Sequence, residues 1–520
     1  MSVGAVTERP GPGTETVSSV ARETDWTAAA VAGLTVLAAV LRFWRIGHQS
    51  FWYDEAFTVT LVHHSPGKML GLLPQTELTP PLYYCVAWVW GRIFGFGEAG
   101  LRSLSAVAGV LTVPAIYAAA AKLVSRRAGL VAAALVACNP FLIWYSQEAR
   151  SYAVLVLLAT LSLVAFAYVR SPNPRTRWVV AWVVASVLTL ATHYYGVLAV
   201  APEGAWLLWV HRRDRRVLLA IAVAAALGGA LLPIALSQRP HASWIAGWPL
   251  DLRLGQIFPQ FLVGTGTPAR TVLKIVGALA VLLALAMLVL RAGGAERRGA
   301  LVAGVLFVGG FVLSLILVAT GVDELITRNI IVVLIPLIAF VAGGLGARRA
   351  GALGLIGAGT LCVVGLVAAI GIAVDQNLQR PDWRGLARAI GPQPPSGAGR
   401  AMLVENYAGL LPNQVNLPGL RFMKRRGASI TELDVVAHDV PVRGYFCWWG
   451  SACNIPEAVL DTGLRLRGFH RDGPVLRLGE FSVIRLRATT PVRVTPRTVS
   501  SALTTSLPWN DGLFVQRGRA

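Results

Sequence analysis

Asp54 and Glu55 sit side by side in the segment FWYDEAF. A carboxylate pair beside Trp52 and Tyr53 can act as a general base, because burial and like charge raise one of the two pKa values toward a useful range. The same pair can instead face water or cap a helix. A second polar set lies in YSQEARSY (145–152), where Glu148 and Arg150 can pair with each other or grip a phosphate. Arg328, close behind Asp323 and Glu324 in VDELITRN, can hold an anionic phosphate or anchor the chain at a headgroup surface. His193 precedes Tyr194 and Tyr195 at the end of an apolar run and reads as an interfacial residue or a ligand. Glu203 lies inside another apolar run, which makes it a functional candidate with no visible partner. The adjacent pair His63 and His64 cannot present two ligands on one helix face. There is also no Walker A loop, no G-x-G-x-x-G after a strand and no Cys/His zinc pattern.

The elements that must position these residues are membrane helices. Hydrophobic residues make up 55% of the 520, charged ones only 14%, and mean hydropathy is +0.59. A soluble surface needs about 25% charge, so most of the chain is expected in lipid. Apolar runs of spanning length predict about eleven transmembrane helices, near 27–45, 101–122, 128–145, 152–170, 178–192, 194–210, 217–237, 271–291, 299–320, 329–346 and 351–374. The stretch 82–97 is short, rich in aromatics and carries Arg92, which suits an interfacial helix. With it lying flat, one set of alternate loops collects Lys122, Arg126, Arg127, Arg170, Arg175, Arg177, Arg212, Arg213, Arg215 and Arg216, then Arg291, Arg297, Arg298, Arg348 and Arg349. Those loops are then cytoplasmic by the positive-inside rule. The net charge of +21 is explained the same way, so no nucleic-acid partner is expected.

This sidedness puts the N-terminus in the cytoplasm and makes 46–100 and 238–270 long outer loops, which are usually functional. Trp244, Trp248 and Phe258 in the second loop could close over a ligand. Residues 1–26 read as a disordered cytoplasmic tail and 27–375 as the transmembrane catalytic domain. Residues 376–487 read as a small extracytoplasmic α/β domain, with strands at 401–406 and 481–487 and a helix at 383–391; 488–520 reads as a Thr/Pro-rich tail. Cys447 and Cys453 are expected to pair if that domain is in an oxidising compartment.

Taken in order, the Asp-Glu loop after the first span, PPLYY (80–84), LRSLSAVAGVLTV (101–113), YSQEARSY, ITRNIIVVLIPL (326–337) and RPDWRGLARAI (380–390) resemble the GT-C membrane glycosyltransferases. The similarity is to the protein O-mannosyltransferase and aminoarabinose-transferase branch (glycosyltransferase family 39 type), in its actinobacterial form, over roughly 27–375. The resemblance implies transfer of a sugar, mannose first and a pentose such as arabinose second, from a polyprenyl-phosphate donor on the outer leaflet. The acceptor is a hydroxyl of an envelope glycan, lipid or protein. It implies Asp54 as the base with Glu55 organising the site. Arg150 and Arg328 are then carried over for the lipid phosphate, with Glu148, His193, Tyr53 and Trp244 also lining the substrate. Many members have His where this chain has Thr79. No organic cofactor is expected, and a divalent metal stays open without a residue pattern behind it. A lipid or small-molecule transporter and a non-catalytic polyprenyl-lipid binder are the rival readings. A transporter predicts polar residues along the spans, whereas here they cluster at one face, Glu203 excepted.

Overall fold

A computed structural model describes residues 12–395, 399–404, 410–438, 465–478, 481–502 and 513–517. The chain opens with helix α1 (Pro12–Phe43). It starts well inside the segment expected to be a disordered tail: Pro12 suits the first helical position, and after Gly13 no Gly or Pro interrupts the chain before Gly33. The first long loop is itself folded, into α2 (Tyr53–Val62), α3 (Pro66–Thr76) and α4 (Leu82–Phe94). α4 has 13 residues and is not among the helices long and apolar enough to cross a membrane.

Next come α5 (Glu98–Leu123), α6 (Arg126–Cys138), α7 (Pro140–Ser146), α8 (Tyr152–Val169), α9 (Thr176–Thr192) and α10 (Val197–Val210). They are followed by α11 (Arg215–Gly229), α12 (Leu232–Gln238), α13 (Ser243–Ala246) and α14 (Leu250–Val263). The bundle closes with α15 (Arg270–Leu290), α16 (Gly294–Ala319), α17 (Leu334–Leu345) and α18 (Gly351–Val374). Every predicted span falls on helical chain, but 128–145 is divided between α6 and α7 and 217–237 between α11 and α12. Among the described residues, 7 helices are long and apolar enough to cross a membrane alone, or 8 if the bent pair α6–α7 counts as one; Thr176–Thr192 and Ile331–Leu345 are shorter. The chain is a multi-pass membrane protein.

The bent pair matters for the site. The run 128–145, read as one helix from its hydropathy, breaks by 58° because Pro140 cannot continue the α6 ladder and Asn139 caps α7 by accepting from Leu142 N at 2.9 Å. Arg42 of α1 reaches the carbonyls this break frees, donating to Val136 O at 2.9 Å and Ala137 O at 3.1 Å. Gly109 of α5 leaves room for that guanidinium: a Cβ there would lie 2.8 Å from Arg42 Nε and would also collide with Ser146. Ser146 is fixed by donating to Leu142 O at 2.6 Å. Gly109→Ala is therefore expected to lower stability by about 1–3 kcal/mol through overpacking. In a thermal melt in detergent, Gly71→Ala, whose Cβ meets nothing within 4 Å, serves as the comparison.

After α18 the chain runs through a short link into α19 (Trp383–Ile390), as the sequence predicts. The C-terminal part is then β1 (Gly399–Leu403), α20 (Leu410–Asn416), β2 (Arg421–Phe422), β3 (Ala428–His438), β4 (His470–Arg471), β5 (Leu476–Leu478), β6 (Phe481–Val494), α21 (Pro496–Ala502) and β7 (Leu513–Arg517). The sheet order is β2-β7-β1-β3-β6-β4, with β5 paired to β6; β1 and β3 run parallel and β3 and β6 antiparallel. A small α/β domain is present, but its boundary differs from expectation. β6 continues past 487, with Val494 opposite Ala428, and β7 inserts between β2 and β1. The Thr/Pro-rich composition hid LFVQR, which forms the mostly buried strand β7. Cys447 and Cys453 lie outside the described residues.

Candidate active site

Asp54, Glu55, Glu148, Arg150 and Arg328 converge where α2, the turn between α7 and α8, the loop before α17 and the link after α18 meet. The turn 147–151 is a hub. Glu148 accepts from Arg380 Nη2 at 2.9 Å, the Ala149 N–H donates to Glu55 Oε1 at 2.7 Å, and Arg150 Nη1 donates to Glu77 Oε1 at 2.9 Å and to the Asp54 carbonyl at 3.2 Å. Glu148 and Arg150 thus do not pair with each other; the tight turn sends them to different partners. Arg150 Nη1 also donates to Tyr84 OH at 3.1 Å, and Thr79 joins that network through Tyr84 at 3.4 Å.

The two adjacent acids have divergent fates because successive helix residues point about 100° apart. Glu55 is fully buried, bound by Arg102 through Nε at 2.7 Å and Nη2 at 2.6 Å. Burial alone would raise its carboxyl, and the charge and hydrogen bonds of Arg102 hold it below the usual range. Arg102 also donates to the carbonyls of Gln49 (2.7 Å) and Ser50 (3.0 Å), so the pair ties the loop ahead of α2 to α5. Asp54 faces the opening: its side chain is 16% exposed and its Oδ2 lies 3.0 Å from Arg328 Nη1, itself 19% exposed. Arg328 sits 5.6 Å from the Trp52 ring centre and 5.8 Å from that of Trp244, so the loop 238–270 contributes an aromatic wall beside the acid.

Tyr53 is half-buried and packs edge-on to Phe57 at 5.0 Å; Phe258 lies instead against Phe307 and Phe311 of α16. His193 is buried, accepts from Tyr195 N at 3.2 Å, and burial drives it down to about 3, with Arg150 and Arg328 adding to the effect; it stands neutral behind the site. Glu203 is remote from this cluster. It accepts from Trp182 Nε1 at 2.8 Å and from Ser162, so the acid without a visible partner is a hydrogen-bonded group between helices.

Arg102, Glu77, Trp52 and Arg380 are the site members the sequence left without a role. Arg102, Trp52 and Arg380 stand inside motifs quoted above and Glu77 lies three residues before PPLYY; an arginine just inside an apolar span, as Arg102 is, was the available signal. Arg380 comes from the link to the α/β domain. Its guanidinium lies 4.1 Å from the Trp144 ring centre and 5.9 Å from that of Trp52.

The helical membrane bundle with its small C-terminal α/β domain has a fold of the GT-C class. Residues 79–244 match the family model described as dolichyl-phosphate-mannose-protein mannosyltransferase. The fold is similar to that of ArnT from Cupriavidus metallidurans bound to undecaprenyl phosphate, at 16% identity over 89% of this chain and 98% of that one, with a TM-score of 0.54. The oligosaccharyltransferase of Archaeoglobus fulgidus, in complex with Zn and sulfate, aligns at 12% identity over 69% of this chain and 55% of its own, with a TM-score of 0.41. The S. cerevisiae protein O-mannosyltransferase Pmt1–Pmt2 complex, bound to its sugar donor, aligns at 16% over 41% and 34%, with a TM-score of 0.32. No curated protein sequence matches. The resemblance to the GT-C branch of protein O-mannosyltransferases and ArnT holds in the family match and in the fold.

Proposed function

We propose that this chain is an inverting glycosyltransferase that moves a sugar, mannose first among the candidates, from a polyprenyl-phosphate carrier to a hydroxyl of an envelope glycan, lipid or protein. The observation that carries the reading is the Asp54–Arg328 pair at 3.0 Å, a carboxylate and a cation together at the open side of an otherwise buried polar cluster. Asp54 takes the proton of the acceptor hydroxyl. The acceptor's hydroxyl oxygen attacks the anomeric carbon, the bond from that carbon to the phosphate oxygen breaks, and the electron pair leaves with polyprenyl phosphate. Attack opposite the leaving group inverts the centre. Arg328 moves from Asp54 onto the phosphate as charge builds there, which frees the base when the donor is seated. Trp52 and Trp244 flank the position a sugar would take. The basic loops named above support an extracytoplasmic site by the positive-inside rule.

The test is transfer of label from polyprenyl-phosphate mannose to an envelope acceptor fraction by protein purified into lipid. A polyprenyl-phosphate pentose such as arabinose is the second donor to assay. Absence of transfer from either, with folded protein and a competent acceptor, rejects the reading. Arg328→Ala is expected to lower kcat about a hundredfold and to weaken donor binding, measured in the same assay; Arg328→Lys restores part of the loss.

A further inference from the structure

The cluster is balanced in charge. Arg102 pairs with Glu55, Arg150 with Glu77, Arg328 with Asp54 and Arg380 with Glu148, at 2.6, 2.9, 3.0 and 2.9 Å. His193 adds no charge. A sugar phosphodiester brings one fixed negative charge to this largely buried cluster, and an uncompensated buried charge is costly. Building on the proposed function, we infer that Glu148 is the proton acceptor that offsets the donor's charge: seating the anionic headgroup draws one proton from solvent onto a Glu148 oxygen, and Arg380 then faces the phosphate without a competing carboxylate.

Three observations single out Glu148 among the four acids. It is fully buried, and its Oε1 has no hydrogen-bond partner among the described residues, so a proton can be added there without breaking a contact. Glu55 and Glu77, by contrast, each use both carboxylate oxygens on an arginine. Its surroundings also oppose its charge. Burial is the largest effect and raises its pKa, Glu55 and Asp54 of α2 add to the rise, Arg380 from the link and Arg328 from the loop before α17 pull it down, and the balance holds Glu148 at about 7. Arg102 of α5, Tyr83 of α4 and Tyr152 of α8 also face it.

Arg380 makes the pair part of the site. It shares the Trp52 ring with Arg328, at 5.9 and 5.6 Å, and Trp52 caps the helix that carries Asp54. The link is stapled in place: Arg380 N donates to Gln49 Oε1 at 3.0 Å, Ser50 Oγ to the Pro381 carbonyl at 3.1 Å, and Arg384 pairs with Glu98 at 3.0 Å. Glu148 and Arg380 thus act as positioning residues, through charge rather than through the reacting atoms.

The sign follows from linkage. An arriving anion raises Glu148 above its value near 7, so between the free and bound pKa values binding takes up a proton and affinity falls as pH rises. The test uses undecaprenyl methyl phosphate, a diester with one fixed charge and no sugar, titrated into the full-length protein in lipid nanodiscs. For wild type, Kd at pH 8 is expected to be about tenfold weaker than at pH 6. Calorimetry in buffers of different ionisation enthalpy should register close to one proton taken up at pH 8. Glu148→Gln should bind at every pH as wild type does at pH 6, and Asp54→Asn should keep the wild-type slope. Binding by wild type without pH dependence or proton uptake, or the same slope in Glu148→Gln, overturns the inference and leaves the glycosyltransferase reading standing. No binding of the diester by wild type at any pH overturns both.

Discussion

Asp54→Asn is expected to lower transfer by about a thousandfold in kcat, within the range that a positioned general base contributes, while the protein folds and binds donor as before. Asp54 is the member of the acid pair whose side chain reaches the opening, 16% exposed and in contact with Arg328, whereas the substituted amide keeps the size but cannot accept a proton at neutral pH. Removing the carboxylate charge also leaves Arg328 without its partner, so donor affinity should hold or tighten while kcat falls. Transfer assays with saturating donor separate the two quantities. A fall in donor binding that accounts for the whole loss would show that Asp54 organises the phosphate site and that another group takes the proton.

Glu55→Ala is expected to cost about 3–5 kcal/mol of stability, the usual effect of leaving one charge of a buried ion pair unpaired. Arg102 would then keep a buried guanidinium against carbonyls alone, and the Ala149 N–H would lose its acceptor. The consequence is specific to the site. The Glu55–Arg102 pair joins α2, α5 and the 147–151 turn, so its loss should loosen Asp54 and Arg150 together and reduce transfer through misplacement. A double-mutant cycle with Arg102→Leu, read by chemical denaturation and by transfer, distinguishes this from catalysis. If Glu55 acts as scaffold, Glu55→Ala and Arg102→Leu have similar costs and the double variant costs less than their sum. If Glu55→Gln retains wild-type stability yet loses transfer as completely as Asp54→Asn, the scaffold assignment fails.

The sidedness of the polar residues bears on the rival readings. A transport path would string polar groups along the spans, and Glu203 was the candidate for one. Its carboxylate is closed off between Trp182 and Ser162, so it joins α8, α9 and α10 and opens no route. The ionisable residues that do converge sit at one end of the bundle.

The sequence by itself determined the class of molecule and most of its helices, because lipid imposes length and hydropathy on any segment that crosses it. It also marked Asp54, Glu148, Arg150 and Arg328, since charged residues next to long apolar runs are few and stand out. Tertiary structure alone decided who pairs with whom. Asp54 and Glu55 are neighbours in the chain, yet one turns to Arg328 and the opening and the other to Arg102 and the interior. Glu148 and Arg150 are two residues apart, yet their partners Arg380 and Glu77 are 232 and 73 positions away. The late strand β7 was likewise set by packing, between β2 and β1, whereas the break at Asn139 comes from Pro140 and the bundle adds only Arg42 on the freed carbonyls. Burial in lipid is written locally, residue by residue, whereas ion pairing depends on which distant segments the bundle brings within 3 Å, and charge types alone do not carry that information.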